Sequence, residues 1–184
     1  MRKLIVAASL LLLLPLAAFA QDKPKVEIFG GYSYLHTDDS LDLDLHGWNA
    51  SVTGNFNKWF GLKADFSGHY DTATLSPGVR ADVSEHLFLF GPQVAYRKND
   101  VWQPFGHLLL GAARSHARAR TATGVVSATD TNFALAVGGG LDAHVAKHLA
   151  IRLFQTDYVY IHDSIDDTNN FRLSAGLVLR LGDH

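Results

Sequence analysis

The 184-residue sequence contains no cysteine, which leaves no disulfide framework to a secreted product and no thiol for a lipid anchor. It has no long basic run either. Without Arg2 and Lys3 the chain carries 14 basic residues against 18 acidic ones, a net charge of −4 that offers nothing to a nucleic acid. Beyond residue 20 no stretch approaches ~18 consecutive apolar residues, so no transmembrane helix is encoded there. If that part of the chain enters a bilayer, it enters as strands.

What is present begins with Arg2 and Lys3, an apolar stretch over residues 4–16 broken by Pro15, and the small-x-small pattern Ala18-Phe19-Ala20. The pattern predicts a signal peptide over residues 1–20, cut after Ala20, followed by one domain over residues 21–184. An uncleaved anchor is the alternative, but Pro15 and the cleavage pattern fall where a span of ~20 residues would have to continue.

After residue 20 the chain alternates apolar and polar residues with a period of two, over segments near the ~9–11 residues of a tilted membrane strand. In residues 47–56, Trp48, Ala50, Val52, Gly54 and Phe56 share one face, and Gly47, Asn49, Ser51, Thr53 and Asn55 share the other. Residues 60–70 set Phe60, Leu62, Ala64, Phe66 and Tyr70 against Lys63, Asp65, Ser67 and His69; residues 171–181 set Phe171, Leu173, Leu177, Leu179 and Leu181 against Arg172, Ser174 and Arg180. Less regular segments at 26–35, 86–97, 104–114, 132–143 and 148–160 complete eight strands. In 148–160, Arg152 and Asp157 have opposite parity, so either one of them faces lipid or a bulge shifts the register between them. Short connections at 57–58, 98–100 and 144–147 alternate with longer polar ones at 37–45, 71–85, 115–131 and 162–169. This predicts an all-β fold, an eight-stranded antiparallel up-and-down transmembrane β-barrel with turns in the periplasm and loops outside. An even strand number lets the first and last strands pair and abolishes the edges.

Side-chain volume decides which face is the lumen, because eight strands leave a bore only wide enough for side chains. The bulky aromatic and aliphatic face would overfill it, so that face is assigned to lipid. The contrary assignment is a soluble lipocalin-like carrier of a small ligand. Two aromatic belts follow: Tyr32, Tyr34, Trp48, Tyr70, Tyr158 and Phe171 at the loop end, and Phe56, Trp59, Phe60, Tyr96 and Trp102 at the turn end. The inner face carries Glu27, Lys63, Asp65, Asp142, Arg172 and Arg180, charges that must be paired if buried. Closure predicts Glu27 beside Arg180, with Asp142 joining them from across the bore. An ion or proton path is the other reading of these residues; opposite charges filling a narrow barrel favour a plug.

Four runs resemble a known family: 29–35 (FGGYSYL), 88–97 (FLFGPQVAYR), 136–142 (AVGGGLD) and 172–176 (RLSAG). Together they resemble the outer-membrane β-barrel domain family, the broad group that includes the OmpA transmembrane domain, OmpX and the Opa adhesins. The resemblance implies residence in the cell outer membrane after export, contact with outer-membrane lipid and lipopolysaccharide, insertion by the outer-membrane assembly machinery, and an extracellular ligand of the loops. In many relatives the machinery reads a last strand ending in an aromatic residue; here that strand closes Leu179-Arg180-Leu181. The peptidoglycan-binding domain of OmpA does not follow it, so no cell-wall tether is expected.

Ten histidines raise the question of a metal, yet His144 and His148 flank a turn and lack an evident third ligand, so neither metal nor cofactor is predicted. His162-Asp163-Ser164 is similar to the His-x-Ser element of barrel lipid A deacylases. Such a site needs a group that orients the histidine. The family's glutamate is missing, since none follows Glu85, which leaves Asp166 or Asp167 to substitute. His116, Arg118 and Arg120 make one loop basic, while Asp38, Asp39, Asp42 and Asp44, and Asp163, Asp166 and Asp167, make two others acidic. A structural or surface-interaction barrel without catalysis is the reading these residues support.

Overall fold

The computed structural model describes residues 24–38, 44–76, 79–99, 101–121, 124–162 and 167–182. The predicted signal peptide and Ser164 lie outside them. The described chain forms eight strands: β1 (Val26–Asp38), β2 (Asp44–Asn55), β3 (Phe60–Ser76), β4 (Val79–Ala95), β5 (Trp102–Thr121), β6 (Gly124–Ala146), β7 (Leu149–His162) and β8 (Thr168–Leu181). Each pairs antiparallel with the next, and β1 pairs with β8, so the sheet closes into a barrel with no free edge.

Local chemistry sets the tight end. Asn57 Oδ1 accepts the backbone N–H groups of Trp59 and Phe60 at 2.8 Å each, and Asn99 Oδ1 accepts those of Val101 and Trp102 at 2.8 and 2.9 Å. The same side chain turns the chain in two hairpins, because asparagine mimics a backbone turn with its own carbonyl.

Strands β3 to β6 are longer than the periodicity predicts. β5 and β6 run for 20 and 23 residues, so β5 extends about 66 Å at ~3.3 Å per residue, well beyond an apolar band of ~25 Å. The segments 71–85 and 115–131, predicted as loops, are mostly paired strand. Residues 124–131 are exposed one after another, so both faces of that part of β6 meet water. Apolar alternation disappears there while backbone pairing continues.

β7 resolves the parity of Arg152 and Asp157. The ladders to β6 and β8 both slip beside Leu153 and Phe154, a bulge in which these two consecutive residues face outward, 45% and 44% exposed. Arg152 and Asp157 therefore both point into the bore. Across from the latter, Gly138 lies against the Asp157 carboxylate and the Thr156 carbonyl, where any Cβ would collide.

Candidate functional site

The outward face is apolar all the way round: Val52, Leu62, Phe66, Phe90, Leu108, Leu110, Val137, Leu177 and Leu179 are each more than a third exposed. Such a girdle is incompatible with a water-borne carrier. The loop-end residues Tyr32, Trp48, Tyr70, Tyr158 and Phe171 face outward, with Tyr34 half-buried beside them, and Phe56, Trp59, Phe60, Tyr96 and Trp102 face outward at the turn end.

Inside, the side chains of Glu27, Lys63, Asp65, Asp142 and Arg172 are buried and Arg180 is largely so. Cross-strand pairing sets Glu27 opposite Arg180, with Oε1 and Nε 3.9 Å apart. The tighter partners of Glu27 are Arg97 Nη2 at 3.0 Å and Gln103 Nε2 at 3.1 Å, neither of which the sequence reading included. Asp142 does not reach this group. It is the cross-strand partner of Arg152, whose Nε and Nη2 donate to its two oxygens at 2.8 and 3.0 Å. The adjacent-strand pair forms without spanning the bore, which is why it replaces the predicted one.

Deeper in the barrel the charges interlock. Arg172 donates from Nη1 to Asp65 at 2.9 Å, and from Nε and Nη2 to Asp157 Oδ2 at 2.9 and 2.6 Å. Lys63 Nζ lies 3.2 Å from Asp65, and His107 Nε2 lies 2.7 Å from the other oxygen of Asp157. Gln155 bridges, accepting from Lys63 and Arg152 and donating to Asp157. The rings of Phe29 and Phe105 cover the Arg152 guanidinium at 4.3 and 4.2 Å. Three cations, Lys63, Arg152 and Arg172, thus meet three carboxylates, Asp65, Asp142 and Asp157. Leu87, Leu89, Leu109, Val159 and Ile161 pack with three alanines into an aliphatic cluster, beside a buried polar group in which Ser33 contacts His69 and Ser174 at 2.8 and 2.9 Å. Sequence periodicity missed this region because β4 is apolar on both faces there, Leu87 and Leu89 inward and Phe88 and Phe90 outward.

At the loop-end rim, Asp167 accepts from Tyr160 at 2.5 Å and contacts His162 Nδ1 at 2.6 Å. The hydrogen bond to Asp167 raises the pKa of Tyr160 above the usual phenol range. The same arrangement recurs at Tyr34, His36 and Asp44, with distances of 2.5 and 2.9 Å. The Tyr34 hydroxyl, followed by His36, holds the Asp44 carboxyl below the usual range. A tyrosine and a histidine two residues apart on one strand, both held by an aspartate, therefore clamp the rim in two places. His144 and His148 are spent on Gln103, Arg180 and a backbone carbonyl.

Similar barrels occur among solved structures. Ail, the attachment invasion locus protein of Yersinia pestis, solved with the heparin analogue sucrose octasulfate, is 22% identical, with a TM-score of 0.63 over 85% of this chain and 99% of its own. Neisserial surface protein A is 16% identical (TM-score 0.61; 88% and 100% covered), and OprG of Pseudomonas aeruginosa 12% (0.57; 89% and 99%). At these identities the likeness is one of fold. No curated protein sequence matches the chain. The family profile described as outer membrane protein beta-barrel domain matches residues 6–178. Its sequence and its lipid-facing closed barrel agree: the chain belongs to the outer-membrane β-barrel domain family and resides in the cell outer membrane.

Proposed function

We propose that the protein is a closed structural barrel that acts at the cell surface through its extracellular extension, with no transport through its bore. The observation that carries this reading is the contrast between the two parts: ion pairs and leucines fill the lumen, while the β5–β6 hairpin stands far above the apolar band, exposed over residues 124–131. Long exposed segments on a rigid scaffold are where binding residues concentrate. That Ail is seen with a heparin analogue supports a search for ligands outside the barrel. Outer-leaflet lipid and lipopolysaccharide would surround the aromatic belts, and the assembly machinery would engage β8.

Replacing residues 115–131 by a two-residue turn tests this. The trimmed barrel is expected to keep its heat-dependent gel shift, and cells carrying it to lose most of their retention on animal-cell or bacterial lawns relative to cells with the intact chain. Equal retention would remove the reading.

The contact between His162 and Asp167 favours one second reading, a lipid A deacylase in which Asp167 orients the histidine. The same clamp recurs at Tyr34, His36 and Asp44, where Asp38 rather than a serine stands two residues after the histidine, which argues for bracing the rim. Mass spectrometry of lipid A decides it; acylation unchanged by the gene would exclude deacylation.

A further inference from the structure

On the outer wall of β4, β5 and β6, the side chains change character within a single row. Moving away from the turn end, the cross-strand partners Phe88, Ala112 and Phe133 are apolar, and the next row is His86, Arg114 and Thr131. Beyond it come Ser84, His116 and Thr129. Between these rows lies a cleft of about 380 Å³ lined by Ser84, His86, Phe88, Arg114, His116 and Thr129.

Two of its polar groups are held in place. Tyr70 packs edge-on against His86 at 5.5 Å and shares a 3.1 Å hydrogen bond with its Nε2, while Thr129 Oγ1 lies 2.7 Å from His116 Nδ1. Among the described residues Arg114 makes no hydrogen bond or ion pair. The carboxylate on these rows is Asp82, one row further out opposite Arg118, where it accepts from Thr72 at 3.2 Å. An exposed guanidinium without a protein anion thus stands at the border between an apolar wall and water, flanked by two imidazoles that are held in place and by two hydroxyls.

We propose that this cleft binds the phosphate of a phosphorylated glycolipid of the outer leaflet, with Arg114 as the principal donor and an acyl chain lying along Phe88 toward Leu110. The guanidinium fork matches phosphate geometry. The floor selects the source: a free phosphate would gain nothing from Phe88, half-exposed at 49%, whereas a lipid carries its phosphate and its hydrocarbon in the same order as the wall. The inference rests on placing the long-hairpin end outside the cell.

Native mass spectrometry of the full chain purified from membranes in detergent tests it, with bisphosphorylated lipid A and its dephosphorylated counterpart as probes. The phosphorylated lipid is expected to be retained about tenfold more strongly, Arg114→Gln to remove that difference, and Lys98→Gln at the turn end to leave it. His116→Gln should weaken retention less. Each variant is first shown to fold by its gel shift. Equal retention of the two lipids, or of the phosphorylated lipid by wild type and Arg114→Gln, would overturn the proposal. So would displacement by inorganic phosphate or sucrose octasulfate at the lipid's own concentration, which would assign the cleft to a soluble anion. Because the chain has no cysteine, Val126→Cys, 70% exposed and outside the cleft, gives a single thiol; failure of an impermeant reagent to label it on intact cells would refute the orientation itself, separately from the site.

Discussion

Arg152 is gripped by a carboxylate, an amide and two aromatic faces, and is buried inside the barrel. A charge taken out of water is tolerable only while its partner stays with it. Arg152→Met would leave Asp142 buried and unpaired, and is expected to cost about 3–5 kcal/mol of unfolding free energy in urea titrations of vesicle-embedded protein. Adding Asp142→Leu should recover much of that loss, since an apolar pair of similar volume restores neutrality. A double variant less stable than Arg152→Met would contradict this account of the plug. Lys63, Asp65 and Arg172 were legible in the sequence because strict alternation fixes their face. Arg152 and Asp157 were ambiguous because two outward residues sit between them, and a bulge leaves no mark in composition.

That bulge makes β7 the element on which the register depends. Leu153 and Phe154 both lie outside, so deleting Leu153 removes the extra residue and leaves Arg152, Gln155 and Asp157 inward. Deleting Thr156 sets Gln155 next to Asp157 and forces one side of the strand to turn its polar residues to lipid. The first deletion is expected to give a barrel with the usual heat-dependent gel shift, the second to leave the chain unfolded; the reverse outcome would refute the assigned register. Strand existence was readable wherever one face met lipid and the other the bore, as in β2, β3 and β8. The outer halves of β5 and β6 were not, because hydrophobic alternation reports burial and both of their faces are solvated. Backbone pairing alone extends them.

At the scale of the whole molecule, β1 pairs with β8 so that the sheet closes, aromatic residues face outward near both ends, and the inner face carries a network of paired charges and an aliphatic cluster. Family and fold were readable from strand rhythm, whereas the aliphatic cluster was not, since an inward leucine and an outward one look alike in a strand apolar on both faces. Conductance tests the proposed seal of the bore most directly. In planar bilayers the folded wild-type protein should hold the baseline current at all voltages that the bilayer survives. Stepwise, ohmic openings of the wild-type barrel would show a continuous aqueous path and would contradict the plug.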